Sequence, residues 1–200
     1  MSQYKNVTLS SPLLSQSQLT FRLGLVRQRT NTYPLDSMDF IMMDLERPEG
    51  HHRHAHWCTG DLTGRLLEFL SHAEGVDGRH DGRLEDLFER ILRQRLPSGL
   101  FGQHINRLNP AARPWQGEDC FAACARFFPG FIYYYKLTND MRALDAAVGL
   151  ADHTLRSKEI WRNRAEACGC RDIPFWITEP MSMLYGVTGN NAYLDFVAMI

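Results

Sequence analysis

The sequence predicts an all-α fold, an incomplete α/α toroid of helical hairpins, and three observations carry that reading. Apolar residues recur at helical spacing, as in Leu84, Leu87, Phe88, Ile91 and Leu92. Helices come in pairs, with very short turns alternating with long loops. A phrase also repeats fifty residues apart: Tyr135 to Asn139 leads to Leu144-Asp145, and Tyr185 to Gly189 leads to Leu194-Asp195. A period of that size argues for repeated hairpins.

A first helix is predicted over 12–30, started by Ser11-Pro12, with Leu14, Leu19, Phe21, Leu23, Leu25 and Val26 as its apolar side. Residues 31–57 read as a long irregular stretch that contains Phe40 to Met43 and the histidine cluster 51–56. Thr59 or Asp61 can cap a second helix ending near Gly75. The third follows a Gly- and Asp-rich turn and runs to about Leu96, where Pro97-Ser98-Gly99 stops it. After a loop over 97–116, the fourth covers 118–135. It is hydrophobic nearly all round, hence buried, with a kink expected at Pro129-Gly130. Thr138-Asn139-Asp140 forms a tight, self-capping turn into the fifth, 141–156. A third long loop, 157–172, precedes the sixth, 174–185, and Gly189 separates it from the seventh, which begins at Asn191. That last helix has no C-cap, glycine or proline after it, so 1–200 reads as the N-terminal portion of a single catalytic domain continuing past Ile200.

The alternation of connections sorts the helices into two rings. The second, fourth and sixth follow long loops and form the inner ring; the third, fifth and seventh follow short turns and form the outer one. Short turns force antiparallel neighbours. All inner helices then share a direction, and their N-termini lie with the long loops at one end, where binding groups concentrate.

At that end the sequence places His54, His56, Trp57 and Asp61 before the second helix. Gln103, His104, Trp115, Glu118 and Asp119 precede the fourth, and Arg171, Asp172, Trp176 and Glu179 accompany the sixth. Indole faces stack on sugars, while carboxylates bind hydroxyls and do acid/base chemistry. The substrate-binding set expected is His54, His56, Trp57, Asp61, His104, Trp115, Glu118, Asp119, Trp176 and Glu179, on a carbohydrate. Each acidic member also fits as a cap or first-turn charge, and each tryptophan fits as core. Histidines 52, 54 and 56 with Cys58 have the makings of a metal site, but a polar loop lining the funnel is the simpler reading, and no metal is assigned. Cys120 and Cys124 share a helical face and fit as small packed residues. Cys168-Gly169-Cys170 is too close a pair for a structural zinc half-site.

Composition narrows the class. Hydrophobic residues are 44% of the chain, enough for a sizeable core, and formal net charge is −1 with both signs interspersed. Nothing suggests nucleic acid or a membrane span. The polar start of the chain lacks the apolar stretch of a secretory signal, and the five cysteines do not pair evenly, so a cytoplasmic protein with free thiols is expected. Half a toroid exposes its flanks, which predicts poor solubility or a homodimer for this piece alone.

Tyr134 to Asn139 with Leu144 to Ala147 and Ala151-Asp152-His153 resembles the second hairpin of the β-L-arabinofuranosidase-like glycoside hydrolases. So does Glu179 to Ile200, with Leu184 to Asp195 at its centre, and the likeness extends from about Leu13 onward. The resemblance implies about half of a six-hairpin barrel and a glycoside hydrolase. The family's catalytic glutamate and zinc-bound cysteine lie later than residue 200, so no catalytic residue or cofactor is carried onto this chain, and the resemblance leaves room for zinc only in the full-length protein. The chain departs from the family at two histidines, where it has Ala125-Arg126-Phe127 and Asp172-Ile173-Pro174. Two other functions compete. One is a sugar epimerase on the same toroid, using some of the eight histidines for proton transfer. The other is a non-catalytic helical-repeat binding module, against which the alternating loop lengths speak.

Overall fold

The computed structural model describes residues 16–32, 38–46, 60–101, 121–159 and 172–200. Among them are eight α-helices: α1 (Gln16–Thr32), α2 (Met38–Glu46), α3 (Asp61–Asp77), α4 (Gly82–Leu92), α5 (Phe121–Thr138), α6 (Met141–Arg156), α7 (Asp172–Thr188) and α8 (Asn191–Met199). The all-α expectation holds, and the helices pack on one another in hairpins. Helix α3 packs against α4, α5 against α6, and α7 against α8; α5 also packs on both α3 and α7.

Side-chain and backbone pairs fix the directions. Asp61 meets Arg126, Gly64 lies against Arg126 and Phe127, Gly130 against Leu67, and His72 against Tyr133. Position rises together on both helices, so α3 and α5 run parallel. On the other layer, Glu89 pairs with Arg142, Arg95 with Asp145 and Arg156 with the Ser98 carbonyl. The chain from Glu89 through Ser98, the end of α4 and the turn after it, therefore runs alongside α6 in the same direction.

The α3–α5 approach is close because glycine permits it. A Cβ at Gly64 would lie 2.4 Å from the Arg126 carbonyl carbon, and one at Gly130 would lie 3.1 Å from Leu67 Cδ2. Around this crossing Phe88, Phe101, Phe127, Phe131 and Tyr134 form an aromatic core. Phe88 stacks on Tyr134 with centroids 4.0 Å apart, and Phe101 sits 5.0 Å from Phe131. Such rings bury large apolar areas and add about 0.5–1.5 kcal/mol per well-placed pair.

The repeated phrase is a repeated turn. Thr138 Oγ1 donates to the Tyr134 carbonyl at 2.8 Å and accepts from Asp140 N at 3.1 Å. Thr188 Oγ1 does the same with Leu184 O and Asn190 N, at 2.9 and 3.2 Å. Asn139 and Gly189 both take the left-handed conformation, with φ 60 and 71, which suits those two residue types. Asp140 and Asn190 then cap the next helix by accepting from Arg142 N and Ala192 N. One local solution, written twice, closes two hairpins.

Several sequence expectations need correction. The stretch over 31–57 is not irregular throughout: α2 occupies part of it. Met38, Ile41, Met42 and Leu45 keep the i, i+3, i+4, i+7 pattern, and the last three are buried. Thr63 Oγ1 donates to Ile41 O at 2.8 Å, and Arg90 grips Glu46 at 2.7 Å and Asp39 at 3.1 Å. Asp61 does not cap α3; Gly60 stands at the cap with φ 86 and no side-chain bond. That helix runs through Gly75 to Asp77, and Gly78 ends it. Helix α4 stops at Leu92, short of Leu96, because a turn intervenes in which Leu96 N donates to Leu100 O at 2.8 Å. Helix α7 starts at Asp172, ahead of Pro174, since a first-turn proline has no hydrogen bond to forfeit. Of the apolar side expected of α1, Phe21 is 66% exposed and Leu25 and Val26 are exposed too. Arg27 holds α1, donating to Asp77 at 2.6 Å in a buried ion pair. The expected starts at Ser11-Pro12, Thr59 and Glu118 lie outside the described residues.

Two outcomes follow for the full-length chain in urea unfolding. Gly64→Ala drives a methyl group into the α5 backbone and should cost at least about 1–3 kcal/mol; no loss would mean that the two helices do not touch there. Asp140→Ala should cost about 1 kcal/mol by removing a cap, with Asp140→Asn retaining most of it.

Candidate functional site

On α3, Asp61, Arg65, Glu68 and His72 follow one another at spacings that keep one stripe of a helix facing one way. Buried Leu66, Leu67 and Leu70 face the core beside it. On α5 a matching stripe carries Arg126, Tyr133 and Lys136, and α7 adds Glu179. Because α3 and α5 are parallel and in register, these groups meet.

The end nearest the α3 N-terminus is taken up by ion pairs. Asp61 accepts from Arg65 Nε at 3.1 Å and lies 3.3 Å from Arg126 Nε. One turn further along, the chemistry changes. His72 and Tyr133 rings lie with centroids 3.7 Å apart, tilted by 48°, and Lys136 Nζ stands 5.7 Å from the Tyr133 centroid. Burial raises the Glu68 carboxyl above the usual carboxylate range; the Glu179 charge adds to this, while Arg126 and Arg65 oppose it. Burial, then Glu68 and Glu179, likewise raise the Tyr133 phenol. Burial followed by the Lys136 charge pushes His72 toward its neutral form. Glu68, Tyr133 and Glu179, from three helices, thus share one electrostatic environment.

Among the described residues, Glu68, His72, Tyr133 and Glu179 make no hydrogen bond to one another or to any other described group. Polar groups elsewhere do: Glu74 accepts from Asp81 N at 3.1 Å and lies 3.4 Å from His80 Nδ1, and Asp81 caps α4 through Arg83 N. Glu68, His72 and Tyr133 are partly buried and Glu179 is exposed; donors and acceptors with unused capacity, drawn from separate elements, are what a polar ligand needs.

The sequence-predicted residues are distributed as follows. Asp61 and Glu179 are both on this face. Asp61 acts there as an ion-pair partner, and Glu179 lies well inside α7 as neither cap nor first-turn charge, next to Glu68 in the electrostatic sense. Trp176 is on α7, but its side chain lies outside the described residues. His54, His56, Trp57, His104, Trp115, Glu118 and Asp119 lie outside them too, as do Cys58, Cys120, Cys168 and Cys170. Sequence reasoning missed Glu68, His72, Tyr133 and Lys136 because it looked for groups at helix ends; the polar stripe inside a predicted inner helix was the available signal.

Two open hollows, of about 710 and 600 Å³, lie elsewhere, between α1 and the α3–α4 turn. Of the polar side chains lining them, Arg27, His80 and Asp81 are engaged in the ion pairs and cap already described, and Ser17, Thr20, Gln28 and Arg79 complete the lining. Among the described residues no group of three His, Cys, Asp or Glu side chains is placed to hold a metal ion, and no helix is long and apolar enough to cross a membrane. No protein-family model, curated protein or solved structure matches the chain. What fold and site define is a class: an all-α protein of packed helical hairpins with a polar cluster shared by three of its helices.

The raised Glu68 carboxyl yields a signed prediction. Above its folded pKa, Glu68 is charged where burial and Glu179 disfavour charge, so folding is penalised. As pH falls through that pKa the folded chain takes up the proton more readily than the unfolded chain, and the penalty disappears. Glu68→Gln should therefore raise Tm at pH 7, and the gain should shrink on acidification. A lower Tm for the variant at pH 7 would contradict the assignment.

Proposed function

We propose that this chain is part of a glycoside hydrolase with an α/α-toroid catalytic domain, binding carbohydrate on the face formed by α3, α5 and α7. The observation that carries the reading is the convergence of Glu68, His72, Tyr133 and Glu179 with hydrogen-bonding capacity left open. A sugar presents a dense ring of hydroxyls that donate to carboxylates and accept from phenol and imidazole N–H groups. Parallel α3 and α5 agree with an inner ring, and the twice-written turn agrees with the hairpin phrase by which the sequence resembles arabinofuranosidase-like enzymes. Glu68 and Glu179 both suit acceptors from sugar hydroxyls. By the same resemblance, the groups that break the bond lie beyond residue 200, and these residues hold the sugar for them.

The test is turnover of a panel of 4-nitrophenyl glycosides, pentofuranosides included, by the full-length protein. Hydrolysis of at least one is expected. Glu68→Gln and Glu179→Gln should each lower kcat/KM by about 10- to 100-fold, the value of a hydrogen bond to a charged group. Epimerised sugars without hydrolysis would move the assignment to an isomerase, and sugar binding without any product would leave a binding module.

A further inference from the structure

We infer that Tyr133 is the hydrogen-bond donor to ligand at the centre of this site and that His72 positions its ring; the inference rests on the carbohydrate reading above. The two rings come from different helices, with centroids 3.7 Å apart, so their contact is set by the α3–α5 crossing and not by local chain geometry. Lys136 lies over the same tyrosine ring. Tyr133 is therefore gripped by groups from two helices, while its hydroxyl bonds no described residue.

A tyrosine hydroxyl can donate or accept. Burial, then the Glu68 and Glu179 charges, keep the phenol protonated, so an O–H stays available to donate beside lone pairs that accept; the ring contacts with His72 and Lys136 fix where it is presented. The acceptor it fits is an uncharged oxygen, such as a sugar hydroxyl or ring oxygen. His72 contributes as a ring: burial and Lys136 disfavour its imidazolium, so it packs on Tyr133 in the neutral form. Tyr133 is thus a ligand-contacting residue, and His72 a positioning residue that acts through it.

The test uses the full-length protein, the same 4-nitrophenyl glycosides, and Tm as a check that each variant folds. Tyr133→Phe should raise KM about five- to tenfold, the effect of one neutral hydrogen bond, with kcat changed less than about twofold. His72→Ala should shift KM the same way, and His72→Phe, which restores a ring without a titrating nitrogen, should recover most of the loss. Wild-type KM in Tyr133→Phe would overturn the donor role. His72→Phe as impaired as His72→Ala would overturn the positioning role, because the nitrogen and not the ring would then matter. Failure of the wild type to turn over any glycoside would remove the carbohydrate reading and this inference together, whereas turnover that Tyr133→Phe leaves unchanged would remove this inference alone.

Discussion

The close parallel contact of α3 with α5 is the constraint on which the rest depends. Gly64 meets the Arg126–Phe127 backbone, and Gly130 meets Leu67 and the Gly64 carbonyl. With any side chain at position 64 the two backbones must separate. That separation would loosen the packing of Phe127 and Phe131 with Phe101 and draw Tyr133 off His72. Core packing and site geometry are thus consequences of one steric permission.

The two sides of these helices do different work. The apolar side of α3 and α5 is fully buried and supplies the hydrophobic term, at about 25 cal/mol per Å² of apolar surface removed from water. On the opposite stripe Glu68 works against stability, since it is half-buried, repelled by Glu179 and bonded to no described group. Natural chains retain such costs where the local charge has a task. By contrast, the Asp77 side chain is fully buried yet paired with Arg27, and Asp81 is held below the usual carboxylate range by its hydrogen bond from Arg83. Those carboxylates hold structure, and Glu68 does not.

Much of the fold was legible because it is local. The Thr138-Asn139-Asp140 turn, the start of α6 at Met141 and the start of α8 at Asn191 follow from capping chemistry that acts within four residues. Helix α2 was legible in principle through Met38, Ile41, Met42 and Leu45, but it lies inside a stretch, 31–57, that otherwise reads as irregular. The α3 cap misled, because Asp61 is a good N-cap type while Gly60 holds that position. The true role of Asp61, pairing with Arg126 on another helix, depends on tertiary register. For the site the sequence named Glu179 and Asp61 but placed Glu179 at a helix end. Glu68, His72 and Tyr133 needed the α3–α5 register before they could be seen to meet, and no single-helix pattern contains it.

The central claim is that carboxylates of α3 and α7 face one another across α5. A double-mutant cycle on the full-length chain tests it most directly, with Glu68→Gln, Glu179→Gln and the pair compared by urea unfolding at pH 7 and low ionic strength. If the two charges repel, either substitution removes the repulsion, so the double variant gains less than the sum of the singles by about 0.5 kcal/mol or more, and added salt diminishes the difference. Strict additivity at every salt concentration would contradict the account and place Glu179 away from the site.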